Sequence, residues 1–342
     1  MKHKKLWTCL ILSICLFVII LDAKTALTGA SDGIRLCLFT VIPSLFPFFI
    51  LSTMLNNELL GSSIIFIKPV ARFCGVPKGA ESLLLLGLVG GYPVGAQCIY
   101  NAYNLGAITR PQGQRMLGFC NNAGPAFIFG LGTCLFRSPI YTWSTWGIQT
   151  ISAILIGALL PGKAYSSTKI KHYDSISLPH ALKNSIHITA NVCGWIVTFR
   201  IVICFLSRWI LWLLPQHLQV LTSGIIELSN GAVNLLNIPG TGLRFVLFNI
   251  MLSSGGFCVA MQTRSATDKL GMGLYFPGKI LQICVAFLLS SVIQFLICPA
   301  GEQTSISPIA IAFSISVFTY TLFLLHKIKK RVAITKKMLY NR

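Results

Sequence analysis

Residues 90–97 read GGYPVGAQ, and residues 255–262 read GGFCVAMQ. The two stretches agree at both glycines, at Val94 and Val259, and at Gln97 and Gln262; Tyr92 faces Phe257. The offset of 165 residues continues without a gap through Leu105/Leu270, Gly106/Gly271 and Gly113/Gly278. Each copy lies in an apolar stretch. Glycine lets a backbone take positive φ or approach a neighbour closely. Unwound backbone at membrane depth exposes N–H and C=O groups that need partners, and a polar solute or ion is one such partner. Gly90, Gly91, Tyr92, Pro93, Gly95 and Gln97, with Gly255, Gly256 and Gln262, are therefore candidate walls of a solute site. The competing reading is that these glycines only let helices pack closely.

Outward from these motifs, the chain reads as all-α and membrane-spanning. Hydrophobic residues make up 54% of it and charged residues 11%, and the mean hydropathy is +0.74. Soluble domains are usually about a quarter charged. The lipid bilayer is thus the first expected partner. The net charge is +20, from 28 basic and 8 acidic residues. The bases fall mainly in loops and tails, where they set orientation. No nucleic-acid module or aromatic-basic interleaving is present, so nucleic acid is excluded as a partner. The 12 cysteines form no CxxC pair and lie mostly in apolar runs, as small hydrophobes do. No histidine spacing suggests a metal, and no cofactor is expected.

About eight to ten hydrophobic segments are expected, some broken or re-entrant. They begin with residues 6–21, read as an uncleaved first helix. Residues 34–55 follow, kinked by Pro43 and Pro47. Residues 64–73 suit an interfacial helix. Residues 83–94 are broken by glycine and proline, and 116–136 and 140–160 read as spans. Later segments are 186–206, 209–221, 225–236, a second broken stretch at 245–259, then 274–298 and 306–325. The division is an N-terminal membrane helix at 1–32, a first half at 33–162, a basic connecting loop at 163–183, a second half at 184–326 and a basic tail at 327–342. Both ends are basic, so both termini of this multi-pass protein are placed in the cytoplasm. That requires an even number of crossings. A homo-oligomer is left open.

Further polar residues interrupt apolar segments. Asn121 and Asn122, followed by Gly124 and Pro125, are costly in lipid unless satisfied internally. Glu227, with Asn230 and Gly231 behind it, is an ionisable group inside an apolar segment, which marks a functional position by default. Its alternatives are a pairing with Arg200 or Arg244, or a place at the interface. No HExxH, GxSxG or P-loop occurs, so no catalytic residue is assigned and an enzyme is not expected.

At these residues the chain resembles the YlbJ-type sporulation integral membrane proteins. These carry the nucleoside-recognition, or Gate, domain, which is similar to parts of concentrative nucleoside transporters and of the FeoB iron transporter. The matching stretches are 41–49 (VIPSLFPFF), 91–96 (GYPVGA), 106–109 (GAIT), 119–130 (FCNNAGPAFIFG) and Glu227 to Gly231. The resemblance implies two Gate-like halves meeting near the bilayer midplane. It also implies a permease-like protein of the cytoplasmic or forespore membrane, moving a small polar solute or ion during sporulation. The other function to weigh is a non-transporting assembly factor for the spore cortex.

Overall fold

The structure, a computed structural model, describes residues 2–162 and 176–340, with side chains for 5–162 and 176–327. Among the described residues there is no strand; the elements are helices throughout. The chain is an all-α polytopic membrane protein. Five helical courses are long and apolar enough to cross a bilayer: Ala23–Leu59, Leu178–Trp209, Thr241–Leu270, Tyr275–Ile297 and Pro308–Lys327.

Helix α1 (Lys2–Leu21) ends at Asp22, whose carboxylate accepts the Thr25 N–H and caps α2 (Ala23–Leu36). From α2 the chain continues without a break through a π-helical turn, Cys37–Val41, into α3 (Ile42–Leu59). The proposed boundary at residue 32 therefore falls inside a helix and is corrected: the first helix ends at Leu21. The π turn answers Pro43. Proline has no N–H and its ring collides with the carbonyl four residues back. Widening the turn lets the Ile42 N–H reach the Cys37 carbonyl instead, and the helix bends without ending.

After the short α4 (Lys68–Phe73), α5 (Glu81–Val89) and α6 (Val94–Asn104) pack against one another as a hairpin. Its tip is Gly90–Pro93, with Gly91 at φ +77°. Next come α7 (Arg110–Met116) and α8 (Pro125–Leu135), separated by non-helical backbone at 117–124. The continuous span expected at 116–136 is thus broken. Asn121 and Asn122 favour bonds off the helix ladder, and Pro125 starts a helix more readily than it continues one. Helix α9 (Pro139–Leu159) completes this group.

Helix α10 (Leu178–Trp209) is 32 residues long and packs along α2 and α3. It starts inside the stretch expected to be a loop, because Ser177-Leu178-Pro179 puts proline in the first turn, where its missing N–H is harmless. The rest of that loop, 163–175, lies outside the described residues, as do the side chains of the basic tail beyond Lys327. The span expected at 209–221 is not formed: Pro215 separates α10 from α11 (Gln216–Ile226). Helix α11 folds back on α12 (Leu228–Asn234) with Glu227 at the tip. Helices α13 (Thr241–Ser254) and α14 (Gly256–Thr267) do not fold back on one another; they run on as one broken course. Helices α15 (Tyr275–Ile297) and α16 (Pro308–Tyr340) finish the chain.

The order hairpin, broken helix, straight helix therefore occurs twice. Two positions of the 165-residue match share their backbone state: Gly91 and Gly256 have φ +77° and +76°, and Gly106 and Gly271 have +73° and +76°. The elements around them differ. The first copy sits at a hairpin tip and the second inside a broken crossing helix.

What the glycines admit is main chain. A Cβ on Gly87 or Gly95 would stand 2.1 or 2.0 Å from the Cys120 carbonyl oxygen, and one on Gly91 would stand 3.0 Å from the Gly124 nitrogen. Gly256 likewise lies against the carbonyls of Gly224 and Ile225. Gly95→Ala should cost about 1–3 kcal/mol or more, because backbone must shift. Gly130→Ala has open space and should be neutral or slightly stabilising. Melting temperatures of the two purified variants make the comparison.

Candidate functional site

Helix ends leave N–H and C=O groups without partners, and at membrane depth there is no water to take them. The breaks in this chain are satisfied from neighbouring segments. Pro93 has no side-chain acceptor for the start of α6, so the Asn121 side chain supplies one: its Oδ1 accepts the Ala96 N–H at 3.3 Å. The Asn121 Nδ2 donates to the Thr263 hydroxyl on α14 at 2.8 Å. The Tyr92 hydroxyl donates to the Leu252 carbonyl at 2.6 Å, where α13 ends in left-handed Gly255. The Glu227 carboxylate accepts the Ser229 and Asn230 N–H groups at 2.9 and 2.7 Å, capping α12.

The alternatives for Glu227 are decided by these contacts. Arg200 pairs with Asp32 at 3.1 Å, and Arg244 donates to the Leu135 and Ile238 carbonyls at 2.9 Å each. Neither is bonded to Glu227, which is 2% exposed and lies inside the protein rather than on its surface.

Two hairpin tips meet around one small cavity of about 40 Å³. Gly90, Gly91 and Tyr92 line it from the first tip, and Glu227 and Ser229 from the second. Gly124 comes from the α7–α8 break and Gln262 from α14. Val41, Leu45, Phe127, Val192, Ile196 and Val259 form its apolar walls. A water needs about 10–15 Å³ of such space, so the cavity holds a few waters or a small ion. A nucleoside does not fit it in this conformation.

Wider spaces open on either side, towards the two ends of α10. Towards its start, cavities of about 210 and 230 Å³ share Gln97, Tyr100, Asn184 and Ile188. His180 lines one of them; Pro93, His187, Asn191 and Gln262 line the other. Towards its end, a cavity of about 570 Å³ is lined by Lys24, Arg200, Cys204, Arg208, Asn230 and Asn234. His180, Asn184 and Asn191 share one side of the helix, whereas Ile196, Arg200, Cys204 and Arg208, spaced by four, follow on the opposite side. Gln262 borders both the inner cavity and the first vestibule.

The expected site residues thus divide. Gly90, Gly91, Tyr92, Glu227 and Gln262 surround the inner cavity, Pro93 and Gln97 the polar vestibule, and Asn230 the basic one. Gly95, Gly231 and Gly256 instead face neighbouring main chain, Gly255 terminates α13, and Pro125 opens α8. Asn122 is joined to a residue not anticipated from the sequence. Lys279 on α15, 3% exposed, donates to Asn122 Oδ1 at 3.3 Å and to Gln282 Oε1 at 2.9 Å. Its signal was a cation inside the apolar run 274–298. The polar lining supplied by α10 was also missed, since its residues are spread over seven turns.

No family model matches the chain, and no solved structure matches it. Among curated proteins it is similar to the sporulation integral membrane protein YlbJ of Bacillus subtilis (strain 168), 28% identical over 205 residues. The match takes in 55% of this chain, and the chain spans about half the length of that relative, 47%.

The two Asn121 bonds and the Tyr92 bond should differ in value. Ala96 and Thr263 lose their partner in Asn121→Ala, whereas the Leu252 carbonyl keeps the Gly255 N–H, at 3.3 Å, in Tyr92→Phe. Asn121→Ala is expected to cost about 1–3 kcal/mol and Tyr92→Phe nearer 1 kcal/mol. Thermal unfolding of the two variants gives the order.

Proposed function

We propose that the chain is a permease-like carrier of a small polar solute or ion, acting in a bacterial cytoplasmic or forespore membrane during sporulation. The observation that supports this most is the series of cavities along α10. Two vestibules lie at opposite ends of one helix of about 48 Å. Between them is a constriction made by two hairpin tips, one bearing Glu227. The α5–α6 hairpin shares its vestibule with the start of α10, and the α11–α12 hairpin shares the other with its end. Hairpins entering from opposite sides, each followed by a broken helix, form an inverted pair of the kind alternating access requires. Such a pair gives the two Gate-like halves a physical meaning. One tip retracts while the other stays closed, and the solute passes Glu227 between the two states.

Sidedness follows from the basic residues. Lys68, Arg72, Lys78, Arg110, Arg264 and Lys269 flank elements at the end where α9 finishes and α10 starts, which is therefore cytoplasmic. Adding α1, α9 and the α7–α8 course to the five long courses gives eight crossings with both termini inside. The sporulation setting rests on the similarity to YlbJ.

Two experiments test the proposal. Green fluorescent protein fused after Arg342 should fluoresce, and alkaline phosphatase fused after Gln303 should be active; the reverse pattern would overturn the topology. The detergent-purified chain and Glu227→Gln are then screened by thermal shift against nucleosides, nucleobases, divalent and monovalent cations and cell-wall precursors. Glutamine keeps acceptor capacity for the α12 cap, so the variant should fold. A small ligand that stabilises the wild type but not the variant is the expected result. Silence across the panel with both proteins folded favours the assembly-factor reading.

A further inference from the structure

Lys279 takes no part in the path just described, yet among the described residues it is the one buried lysine. Neither of the two ion pairs among the described residues involves it. Its ammonium instead rests on neutral oxygens, Asn122 Oδ1 and Gln282 Oε1, and stands 5.8 Å from the centroid of the Tyr92 ring. The oxygens are held in place from outside. Gln282 Nε2 donates to Asn122 Oδ1 at 3.0 Å and to Ser152 Oγ at 3.4 Å, and Asn122 Nδ2 donates to the Phe119 carbonyl at 2.7 Å. Both amides are thereby oriented with oxygen towards the cation. Apart from Tyr92, at the α5–α6 tip, these groups lie within the broken stretch between α7 and α8 or on the straight helices α9 and α15 beside it.

A buried charge without a counter-charge is expensive, and an apolar side chain of similar volume would fill the space without that cost. What Lys279 adds over such a side chain is a positive charge presented to a preset group of oxygens. We propose that the Lys279 ammonium is a tethered substitute for a free monovalent cation: it sits between two amide oxygens, of Asn122 in the α7–α8 break and of Gln282 on α15, and a small cation of the sodium, potassium or ammonium class binds there once the side chain is removed. The monovalent class follows from the donors, which are neutral oxygens and an aromatic face with no carboxylate; divalent ions take more oxygens, usually including carboxylates. The inference does not depend on transport.

The test uses the full chain in detergent, with melting temperature as the readout. Wild type, Lys279→Ala and Lys279→Gln are compared in N-methylglucamine, sodium, potassium and ammonium chlorides at equal ionic strength. The wild type should melt alike in all four. Lys279→Ala should melt lower by about 5 °C or more in N-methylglucamine and recover at least half of the loss, saturably, in one of the small cations. Lys279→Gln should stay low in every salt, because it supplies hydrogen bonds without the charge. An alanine variant indifferent to cation identity overturns the proposal. So does a glutamine variant that melts with the wild type, and that comparison decides the matter where the alanine variant does not accumulate.

Discussion

The hydrogen bond from the Tyr92 hydroxyl to the Leu252 carbonyl stands for the constraint on which the whole arrangement depends. Every interruption of a helix inside a membrane frees backbone groups that lipid cannot satisfy. This chain interrupts its helices at four places near its centre, and side chains from these same breaks complete several of the freed ends. Tyr92 serves the end of α13, Asn121 the start of α6, and the Glu227 carboxylate the start of its own helix α12. The breaks must therefore converge, and their convergence creates the central cavity.

Arg115 performs a related task at the end where α9 finishes. Its guanidinium donates to the carbonyls of Cys74, Gly75, Gly157 and Leu160, and it lies 5.1 Å from the centroid of the Phe119 ring. One cation thus closes the ends of α4 and α9 onto α7, just before the extended segment begins. Between α9 and α13, Gln149 joins the Asn249 carbonyl and the Ser253 hydroxyl. The straight helices are fixed to the broken ones by polar bonds as well as by packing, so the breaks are held in a rigid surround.

The sequence disclosed the breaks better than their architecture. Glycine and proline at 90–93 and 255–256 mark interruptions because few other residues tolerate those backbones, and both appear where expected, whereas the break before Pro125 falls in a stretch read as one continuous span. Glu227 stood out as a charge in an apolar segment. The hairpin behind it did not, because residues 209–221 are apolar enough to pass for a span and only Pro215 marks the turn. The 165-residue match is a subtler case. Gly91 and Gly256 adopt the same φ and admit passing main chain, so local demands made them alike; which way the chain continues afterwards is decided by contacts dozens of residues away. Lys279 escaped notice because a single lysine near a helix start looks like an interfacial anchor until its depth is known.

The Tyr92–Leu252 bond joins residues 160 positions apart. At synthesis rates of about 5–20 residues per second, roughly 8–32 s pass between the emergence of one partner and that of the other. Throughout that interval the first hairpin, with Asn121 and Asn122 beneath it, lies in or near the bilayer without Leu252, Thr263 or Lys279. Biogenesis of this protein thus contains a waiting period in which half of a polar core is unfinished. Until the second half arrives, Tyr92 and Asn121 must find their hydrogen-bond partners elsewhere.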